Sequence, residues 1–440
     1  MKISSIEIIK TLQSQGHQAL WAGGCVRDML LGKHPKDYDI VTSATPDQVE
    51  NIFDKTVPIG KQYGIIMVHQ DDHEFEIATF RTEGEYTDGR RPSTVEFADA
   101  YQDAHRRDFT INGMFYDPIN DQVIDHVNGQ RDLKLQIIEF IGDPQTRIQE
   151  DHLRLLRAVR FKNTLDFQYE PKTYKAILKH SELVNRVSPE RVQDELNKIL
   201  LCQSRCQAID DLEDLGLLKQ VLPEIQDLKG VGQSASTHAE GDVYQHTLKS
   251  LKQIAPNEKL SIIWATFLHD CGKALTFEFG EDRITFNDHA SKSADLAEQI
   301  LGRLRFSKRF IEHVSWLVAR HMSLFQIFDM PEATRIKWFL HPWFLDLLKL
   351  HKYDTMGQTP VDLSPHDKLL KLYQETVAKI PSLPEPLISG DQICQSLSIK
   401  PGPMVGQLKE MVYDQQLEGK ISNLKQAEDF VKQAYQALLS

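Results

Sequence analysis

The stretch "GGCVRDMLLGKHPKDYDIVT", residues 23–42, decides how the N-terminal part of this chain is interpreted. It opens with two adjacent glycines and ends on two aspartates one residue apart, Asp37 and Asp39, where the β-branched run "DIVT" begins. Alternate side chains of a strand share a face, so both carboxylates are predicted to point the same way. Such a pair favours a bridging cation, and hard oxygen ligands favour Mg²⁺. Two aspartates at this spacing are also typical of a turn or a solvated strand end.

The glycines that open the stretch predict a phosphate-binding turn. Gly23 and Gly24 would let the backbone approach an anion closely, and Arg27 would add a guanidinium on the helix that follows. A triphosphate cradle upstream of a metal-binding carboxylate pair indicates phosphoryl or nucleotidyl transfer with two metal ions.

Length and composition indicate a globular chain of several domains. At 440 residues it exceeds what one hydrophobic core usually serves, so two to four domains are expected. It has no apolar run near the roughly 20 residues that span a bilayer, no signal-peptide pattern, and five scattered cysteines. We therefore expect a cytoplasmic protein with no membrane partner. The net charge of −12 means that a surface for a nucleic-acid end must be locally basic, as in the arginine-rich stretch 90–160.

Residue patterning divides the chain into four predicted regions. Strand and helix signals mix first, and "YGIIMVHQ" and "FEIATFR" around the polar turn "DDHE" predict a β-hairpin. From about residue 145 apolar residues recur at helical spacing, with Gly/Ser-rich and Pro-rich connectors at 227–237 and 380–390. The predicted regions are 1–140, 141–226, 227–375 and 376–440.

A basic motif, "HRRDFTINGMFYDP" from residue 105, follows the hairpin. Arg107 suits bidentate contacts with phosphate, and Asp108 and Asn112 suit hydrogen bonds to ribose hydroxyls. A solvated loop before a core helix would give the same pattern, because Phe109, Ile111 and Met114 and Phe115 are apolar.

The motif "EDHLRLLRAVRF", residues 150–161, predicts an amphipathic helix on which Asp151 and Arg154 are neighbours. Such a pair is ordinarily a surface ion pair. A carboxylate can also accept from an exocyclic amine while a guanidinium donates to a ring nitrogen. Cytosine and adenine present an amine beside an acceptor nitrogen, whereas uracil and guanine present the opposite pattern. The pair could therefore select C and A.

Taken together, these motifs make the chain resemble class II tRNA nucleotidyltransferases, the family of bacterial CCA-adding enzymes and poly(A) polymerases. The matching segments occur in family order over about residues 20–200: "GGCVRD", "DYD", "DGRRP", "RRDFTIN", "IGDPQTR", "EDHLRLLRAVRF" and "SPERVQDEL". The resemblance implies an α+β fold. A DNA polymerase β-like nucleotidyltransferase head of mixed sheet plus helices (1–140) would precede an all-α neck and body (141–226), an α-helical HD domain (227–375) and a helical tail (376–440).

The resemblance also implies roles for single residues. Asp37 and Asp39 would be catalytic and hold Mg²⁺. The nucleotide would be bound by Gly23, Gly24, Arg27, Arg107, Asp108, Asn112, Glu150, Asp151, Arg154 and Arg157. Within this set Glu150 would orient the base-reading pair. Glu76 is a weaker candidate for a third carboxylate, and the loop 83–92 would take part in the switch from C to A.

Histidines and aspartates spread over residues 238–354 form a second group. A lone histidine is typically structural, but imidazoles with carboxylates on successive predicted helices suit a divalent transition metal, Mn, Ni, Fe or Zn. The group resembles HD-domain metal phosphohydrolases, most closely the domain fused to some CCA-adding enzymes. The implied metal ligands are His246, His269, Asp270 and Asp354, with His289 and His321 as those of two-metal members. Lys273 would contact phosphate, and the implied activity is 2′,3′-cyclic phosphodiesterase or phosphatase.

The expected function is addition of C, C and A, from CTP and ATP, to the tRNA 3′ end without a nucleic-acid template. The alternatives are an enzyme that adds only the terminal A, a poly(A) polymerase, and an HD phosphohydrolase that acts on RNA ends. Gly113 stands where many relatives have Ala, which leaves the subtype open, whereas the Asp88/Arg90/Arg91 loop argues against a CC-only enzyme. The oligomeric state is left open between monomer and dimer.

Overall fold

The computed structural model describes residues 1–84, 94–233, 241–279 and 284–439. The chain forms two compact units, one of Met1–Gln226 with Arg303–Phe306 and one of Asp227–Gly302 with Ser307–Ser440. The predicted boundaries of the four regions stay a prediction.

A mixed sheet organises the N-terminal part of the first unit. Its strands, with the short ones nearby, are β1 (Ala19–Ala22), β2 (Ile40–Thr42), β3 (Thr56–Gly60), β4 (Ile65–Gln70), β5 (His73–Thr79), β6 (Arg81–Glu83), β7 (Val95–Phe97), β8 (Phe115–Asp117), β9 (Gln122–Ile124), β10 (Ile137–Ile138) and β11 (Gln168–Tyr169). Seven of them form one sheet in the order β3-β4-β5-β2-β1-β8-β9. β2 runs parallel to β5 and the other neighbours are antiparallel. The predicted mixed sheet is confirmed.

Helices surround this sheet and then continue without it. They are α1 (Lys2–Ser14), α2 (Gly24–Leu30), α3 (Pro46–Ile52), α4 (Ala100–Arg106), α5 (Gly129–Leu135), α6 (Pro144–Glu150), α7 (Arg154–Leu165), α8 (Pro171–His180), α9 (Pro189–Leu201), α10 (Arg205–Asp214), α11 (Leu218–Val221) and α12 (Pro223–Gln226). Short 3₁₀ turns cover Lys61–Tyr63, Thr110–Asn112 and Ser181–Arg186. Thr45 and Asp99 begin α3 and α4 with reciprocal capping bonds, so local sequence fixes both starts.

The predicted hairpin is present as β4 and β5, paired from Ile65↔Ala78 to Gln70↔His73. Asp71 and Asp72 make its turn with φ of 48° and 61°, the left-handed region that a two-residue hairpin turn requires.

Among the described residues beyond 226, helices predominate and one pair of short antiparallel strands is present. Its helices are α13 (Val243–Lys252), α14 (Leu260–Leu268), α15 (Lys273–Thr276), α16 (His289–Arg303), α17 (Lys308–Arg320), α18 (Glu332–Phe339), α19 (Phe344–Gly357), α20 (Ser364–Lys379), α21 (Gly390–Leu397), α22 (Pro403–Leu417) and α23 (Leu424–Leu439), with a 3₁₀ segment at His321–Asp329 and strands β12 (Phe277–Phe279) and β13 (Ile284–Phe286). α14, "LSIIWATFL", is buried from Ser261 to Leu268. A helix that is apolar all round needs partners on every side, and α13, α17 and α19 pack against it. In the part of the chain that the structure describes, no helix is long and apolar enough to cross a membrane.

Gly113 has a steric reason to differ from alanine in this chain. A Cβ at this position would lie 2.7 Å from Cγ2 of Val127 and 2.9 Å from Cδ1 of Ile141. Val127 therefore occupies the space that an alanine methyl group would need.

Gly113→Ala is expected to lower the free energy of unfolding by about 1 kcal/mol, because the stiff Val127 side chain must shift. Urea unfolding of Gly113→Ala, Val127→Ala and the double variant measures this. The double variant should be less destabilised than the sum of the two single variants. Simple additivity would contradict the steric explanation.

Candidate active sites

A cavity of about 1080 Å³ in the first unit collects nearly all of the residues predicted to bind a nucleotide. The predicted residues that line it are Gly23, Gly24, Arg27, Asp37, Asp39, Arg107, Asp108, Asn112, Asp151, Arg154 and Arg157. Glu76 lines it too, whereas Glu150 is not among the lining residues and accepts a hydrogen bond from Arg154, which is. Residues as far apart in sequence as Gly23 and Arg157 thus line one cavity.

Strand pairing explains how the glycine turn meets the aspartates. β1 and β2 pair antiparallel with Trp21 opposite Ile40, so the residues after Trp21 lie beside those before Ile40. Gly23 has φ of 70°, a conformation that side chains rarely adopt, and a Cβ there would lie 3.1 Å from Nη1 of Arg107. Glycine is therefore required both by the backbone and by the neighbouring guanidinium.

The carboxylates of Asp37 and Asp39 lie on an extended segment just before β2, which begins at Ile40, and not within the strand itself. β5 contributes Glu76, because Ile40 is in register with Ile77 in the parallel pair. Asp39 is accessible from the cavity, yet desolvation by the surrounding protein and the charges of Asp37 and Glu76 raise its pKa to about 6. Excess negative charge on hard oxygen atoms fits a divalent cation.

Four of the predicted residues form one hydrogen-bonded row along the cavity. Nη1 of Arg27 donates to Oδ1 of Asn112 at 2.8 Å, and Nδ2 of Asn112 donates to Oδ1 of Asp108 at 3.2 Å. Arg157 donates from Nε and Nη2 to Oδ2 of Asp108, at 2.8 and 2.5 Å. Burial alone would raise the pKa of Asp108, but the Arg157 guanidinium outweighs it and lowers that pKa to about 2.

Asp108→Asn is expected to reduce the free energy of unfolding by about 2 kcal/mol at pH 7, the equivalent of a pKa lowered from 3.8 to about 2. A carboxyl group whose pKa is lower in the folded protein stabilises the fold at pH values above its unfolded-state pKa. This stabilisation is lost as the pH falls towards the folded-state pKa. The difference in the free energy of unfolding between parent and variant should therefore be roughly halved at pH 3. Urea unfolding at both pH values measures it, and a difference independent of pH would contradict the assignment.

The predicted continuous helix over "EDHLRLLRAVRF" is wrong at its start. α6 ends at Glu150 and α7 begins at Arg154, so Asp151 lies in the break between two helices. Asp151 does not pair with Arg154 but accepts from Nη2 of Arg191, on α9, at 2.7 Å. Apolar periodicity runs through the break, because Ile148 and Leu153 are both buried, and therefore could not reveal it.

Three side chains that support the cavity were missed by sequence reasoning. Asp103 is fully buried and holds both Arg106 and Arg107 at 2.7 and 3.0 Å. Glu195, 1% exposed, holds Arg160 at 2.6 Å, and Arg191 fixes Asp151. Acidic residues on helices usually face solvent, so the pattern alone gave no reason to select Asp103 or Glu195. The motif "SPERVQDEL", which contains Arg191 and Glu195, was the available signal.

The second unit brings together all six predicted metal ligands. Their donor atoms form two groups, each within 4.8 Å: His246, His269 and Asp354, and Asp270, His289 and His321. Every one of these residues is buried, and they come from α13, α16, α19 and the ends of α14 and α17. Separate helices that each place one nitrogen or oxygen donor inward make a set that fits divalent transition metals.

Backbone carbonyls orient three of these histidines in the same way. Nδ1 of His269, His289 and His321 lies 2.7–2.9 Å from the carbonyl oxygen three residues earlier. An Nδ1–H that donates to a carbonyl leaves the lone pair on Nε2, which is the arrangement of metal-bound imidazoles. The Nε2 atoms of His289 and His321 lie 3.3 Å apart.

His269 shows that the first group requires positive charge. Its buried Nε2 has no well-oriented hydrogen bond, although it lies 3.2 Å from Oδ2 of Asp270 and 3.5 Å from Oδ1 of Asp354. Burial disfavours the imidazolium, but the two carboxylates outweigh it and raise the pKa of His269 to about 10. A divalent ion would supply the charge that a proton supplies in its absence.

Gly272 fixes the spacing between the two groups. A Cβ on Gly272 would lie 2.6 Å from the carbonyl oxygen of His289 and 2.6 Å from the backbone nitrogen of Ser293. The turn after Asp270 can therefore pack directly on the start of α16, which carries His289.

His238 and most of the loop 83–92, including Asp88, Arg90 and Arg91, lie outside the described residues.

Three family models match the chain. Residues 19–139 match the poly A polymerase head domain, 166–229 the probable RNA and SrmB-binding site of polymerase A, and 243–359 the HD domain. The resemblance inferred from the motifs is confirmed by these matches, and the HD and head domains imply a dependence on divalent metal ions.

Curated relatives are named CCA-adding enzymes. That of Bacillus pumilus is 46% identical over 197 residues, which are 44% of this chain and 49% of the relative. That of Bacillus subtilis is 41% identical over 220 residues, 50% and 55% of the two chains. That of Bacillus licheniformis is 36% identical over 268 residues, 61% and 64%. The matches to the first two span about half the length of those relatives.

Solved structures share the fold over nearly the whole chain. Bacillus stearothermophilus CCA-adding enzyme in complex with CTP aligns with a TM-score of 0.72 at 23% identity, over 99% of this chain and 98% of that one. Thermotoga maritima CCA-adding enzyme complexed with tRNA aligns with a TM-score of 0.60 at 18% identity, over 98% and 94%. The predicted α+β fold is thereby confirmed.

Proposed function

We propose that this chain is a tRNA nucleotidyltransferase that adds C, C and A to the tRNA 3′ end, with CTP and ATP as substrates and no nucleic-acid template. The observation that carries the proposal is one cavity that is lined by carboxylates, a glycine turn, several arginines, and Asp151 and Arg154. The relatives named CCA-adding enzymes support it.

The carboxylates and arginines divide the nucleotidyl transfer between them. Asp37 and Asp39, with Glu76 beside them, would hold Mg²⁺, which would lower the pKa of the tRNA 3′-hydroxyl and neutralise charge on the triphosphate. Arg27 and Arg107, beside the glycine turn, bind the triphosphate and stabilise the negative charge on the pyrophosphate that leaves. The 3′-oxygen forms a bond to the α-phosphorus and its proton passes to water. The bond from the α-phosphorus to the oxygen that bridges to the β-phosphorus breaks, and pyrophosphate leaves.

Base choice rests on Arg154 and Asp151 in this proposal. Three of the five N–H groups of Arg154 are taken by protein oxygens, those of Glu150, Arg147 and Arg106. Among the described residues its Nε–H and one Nη2–H have no partner, so they remain to donate to a ring nitrogen. The Asp151 carboxylate, held by Arg191, keeps lone pairs for an exocyclic amine. Cytosine and adenine satisfy both groups.

Alanine at Asp151 or Arg154 is expected to relax base choice by 10- to 100-fold, since one good base contact contributes about 1–3 kcal/mol of discrimination. Incorporation of UMP and GMP relative to CMP and AMP, measured under single-turnover conditions, tests this. Unchanged discrimination in both variants would refute the roles of the two residues.

The experiment that tests the function offers the purified protein three tRNAs, ending before the tail, after C and after CC, with CTP and ATP supplied separately. The proposal expects CMP on the first two substrates and a single AMP on the third. No CMP on the first substrate would exclude CCA addition and leave an A-adding enzyme. A long run of AMP would indicate a poly(A) polymerase instead.

For the second unit we propose a metal-dependent phosphohydrolase that acts on phosphate at an RNA end. The observation that supports it is the pair of buried donor groups that include His269 and Asp270. Imidazoles with carboxylates suit Mn²⁺, Ni²⁺, Fe²⁺ or Zn²⁺. Hydrolysis of a 2′,3′-cyclic phosphate and of phosphomonoesters, measured after loading with each ion, tests the activity. The predicted cytoplasmic location and the oligomeric state, monomer or dimer, stay open.

A further inference from the structure

Gln233 joins the metal-binding cluster of the second unit through Lys273. Nζ of Lys273 lies 2.8 Å from Oδ2 of Asp270 and 2.8 Å from Oε1 of Gln233. Lys273 is 7% exposed, so these two acceptors hold its ammonium group in a buried position. Because an ammonium group only donates, the amide oxygen of Gln233 must face it, and the amide nitrogen is then fixed as a donor beside it.

The amide nitrogen of Gln233 is buried and has no hydrogen-bond partner among the described residues. A buried N–H left unpaired costs as much free energy as a lost hydrogen bond, so native structures supply such groups with a partner. Among the described residues the third N–H of Lys273 has no oxygen acceptor beyond Asp270 and Gln233, and Nζ lies 5.3 Å from the centroid of the Phe286 ring. Two adjacent donors, one of them cationic, therefore remain next to the metal ligand Asp270.

These two donors define the chemistry of the missing partner. A group with several acceptor oxygens and negative charge would satisfy both donors, and it would lie beside Asp270, one of the predicted metal ligands. A phosphate group has these properties, and a charged acceptor forms the stronger type of hydrogen bond with both donors. Gln233 lies in the segment 227–237, which was predicted from its glycine and serine content to be a connector.

We propose that Gln233 binds the phosphate group of the substrate at the HD site, beside Lys273, through its amide nitrogen. The proposal rests on the phosphohydrolase function proposed above and extends it by naming a substrate-binding residue outside the metal ligands.

The test uses the full chain loaded with Mn²⁺ and calorimetric titration of inorganic phosphate. Gln233→Leu removes the donor at similar volume and is expected to weaken phosphate binding by about tenfold or more, the usual effect of losing a hydrogen bond to a charged group. Gln299→Leu, on the exposed face of α16, is the matched control and should bind within twofold of the parent. Metal content, measured for each protein, should not change.

A double-mutant cycle separates direct binding from support of Lys273. If Gln233 binds phosphate itself, Gln233→Leu also weakens binding several-fold in a Lys273→Met background. No effect in that background would mean that Gln233 only holds Lys273, and would overturn the proposal. Equal binding by Gln233→Leu and the parent, or no phosphate binding by the metal-loaded parent, would overturn it too. Phosphate binding without hydrolysis of any phosphoester would instead refute the phosphohydrolase and leave Gln233 as a phosphate ligand.

Discussion

Asp39→Asn is expected to lower the rate of CMP and AMP incorporation into tRNA by about 10³-fold or more, the several kcal/mol that a bound metal ion contributes to such transfers. The amide keeps the shape of the side chain but removes the charge that attracts the ion. Burst kinetics with tRNA ending before the tail measure the chemical step directly.

Asp54→Asn is the matched control, because Asp54 is an exposed carboxylate of the same unit away from the cavity. It should react at the parental rate. Thermal unfolding of Asp39→Asn should not occur at a lower temperature than that of the parent, since the raised pKa of Asp39 shows that its charge is unfavourable in the folded protein. An active Asp39→Asn variant would remove the basis for the proposed nucleotidyl transfer.

Asp354→Asn is expected to abolish metal binding by its donor group and to reduce phosphoester hydrolysis by about 10³-fold, since the metal ion supplies the nucleophile in such sites. Its Oδ1 lies 2.9 Å from Nε2 of His246 and 3.5 Å from Nε2 of His269, so one carboxylate serves both histidines. Metal analysis of the purified protein and hydrolysis of a 2′,3′-cyclic phosphate measure the two effects separately.

Asp295→Asn, which changes an exposed carboxylate on α16, provides the comparison and should retain metal and hydrolysis. CMP incorporation by Asp354→Asn should stay within twofold of the parent, because Asp354 lies in the second unit and the nucleotide cavity lies in the first. Retention of the full metal content by Asp354→Asn would contradict the assignment of the buried donor groups.

Sequence patterns could predict the parts of the fold that local chemistry determines. The capping residues Thr45 and Asp99 begin their helices, and Asp71-Asp72 turns the hairpin, because each stabilises its own backbone conformation. Short motifs also predicted which residues would meet at the cavity.

Side-chain pairing across the fold could not be predicted in the same way. Asp151 bonds to Arg191, 40 residues away, and Arg154 takes Glu150, so the pair predicted on one helix face is divided between two partners. Asp103 is buried beneath two arginines although its surroundings in the sequence are polar. Such contacts depend on tertiary packing, which neither periodicity nor spacing records.

The helix break at Asp151 changes where a protein engineer should look for altered nucleotide preference. Arg191 and Glu150 contact the two side chains that are proposed to read the base: Arg191 donates to Asp151, and Glu150 accepts from Arg154. Libraries that vary only Asp151 and Arg154 would change the side chains proposed to contact the base. Arg191 and Glu150, which hold those side chains in the parent, would stay unchanged. Randomising all four positions together would allow each new base-contacting side chain to be selected with a side chain that holds it in place.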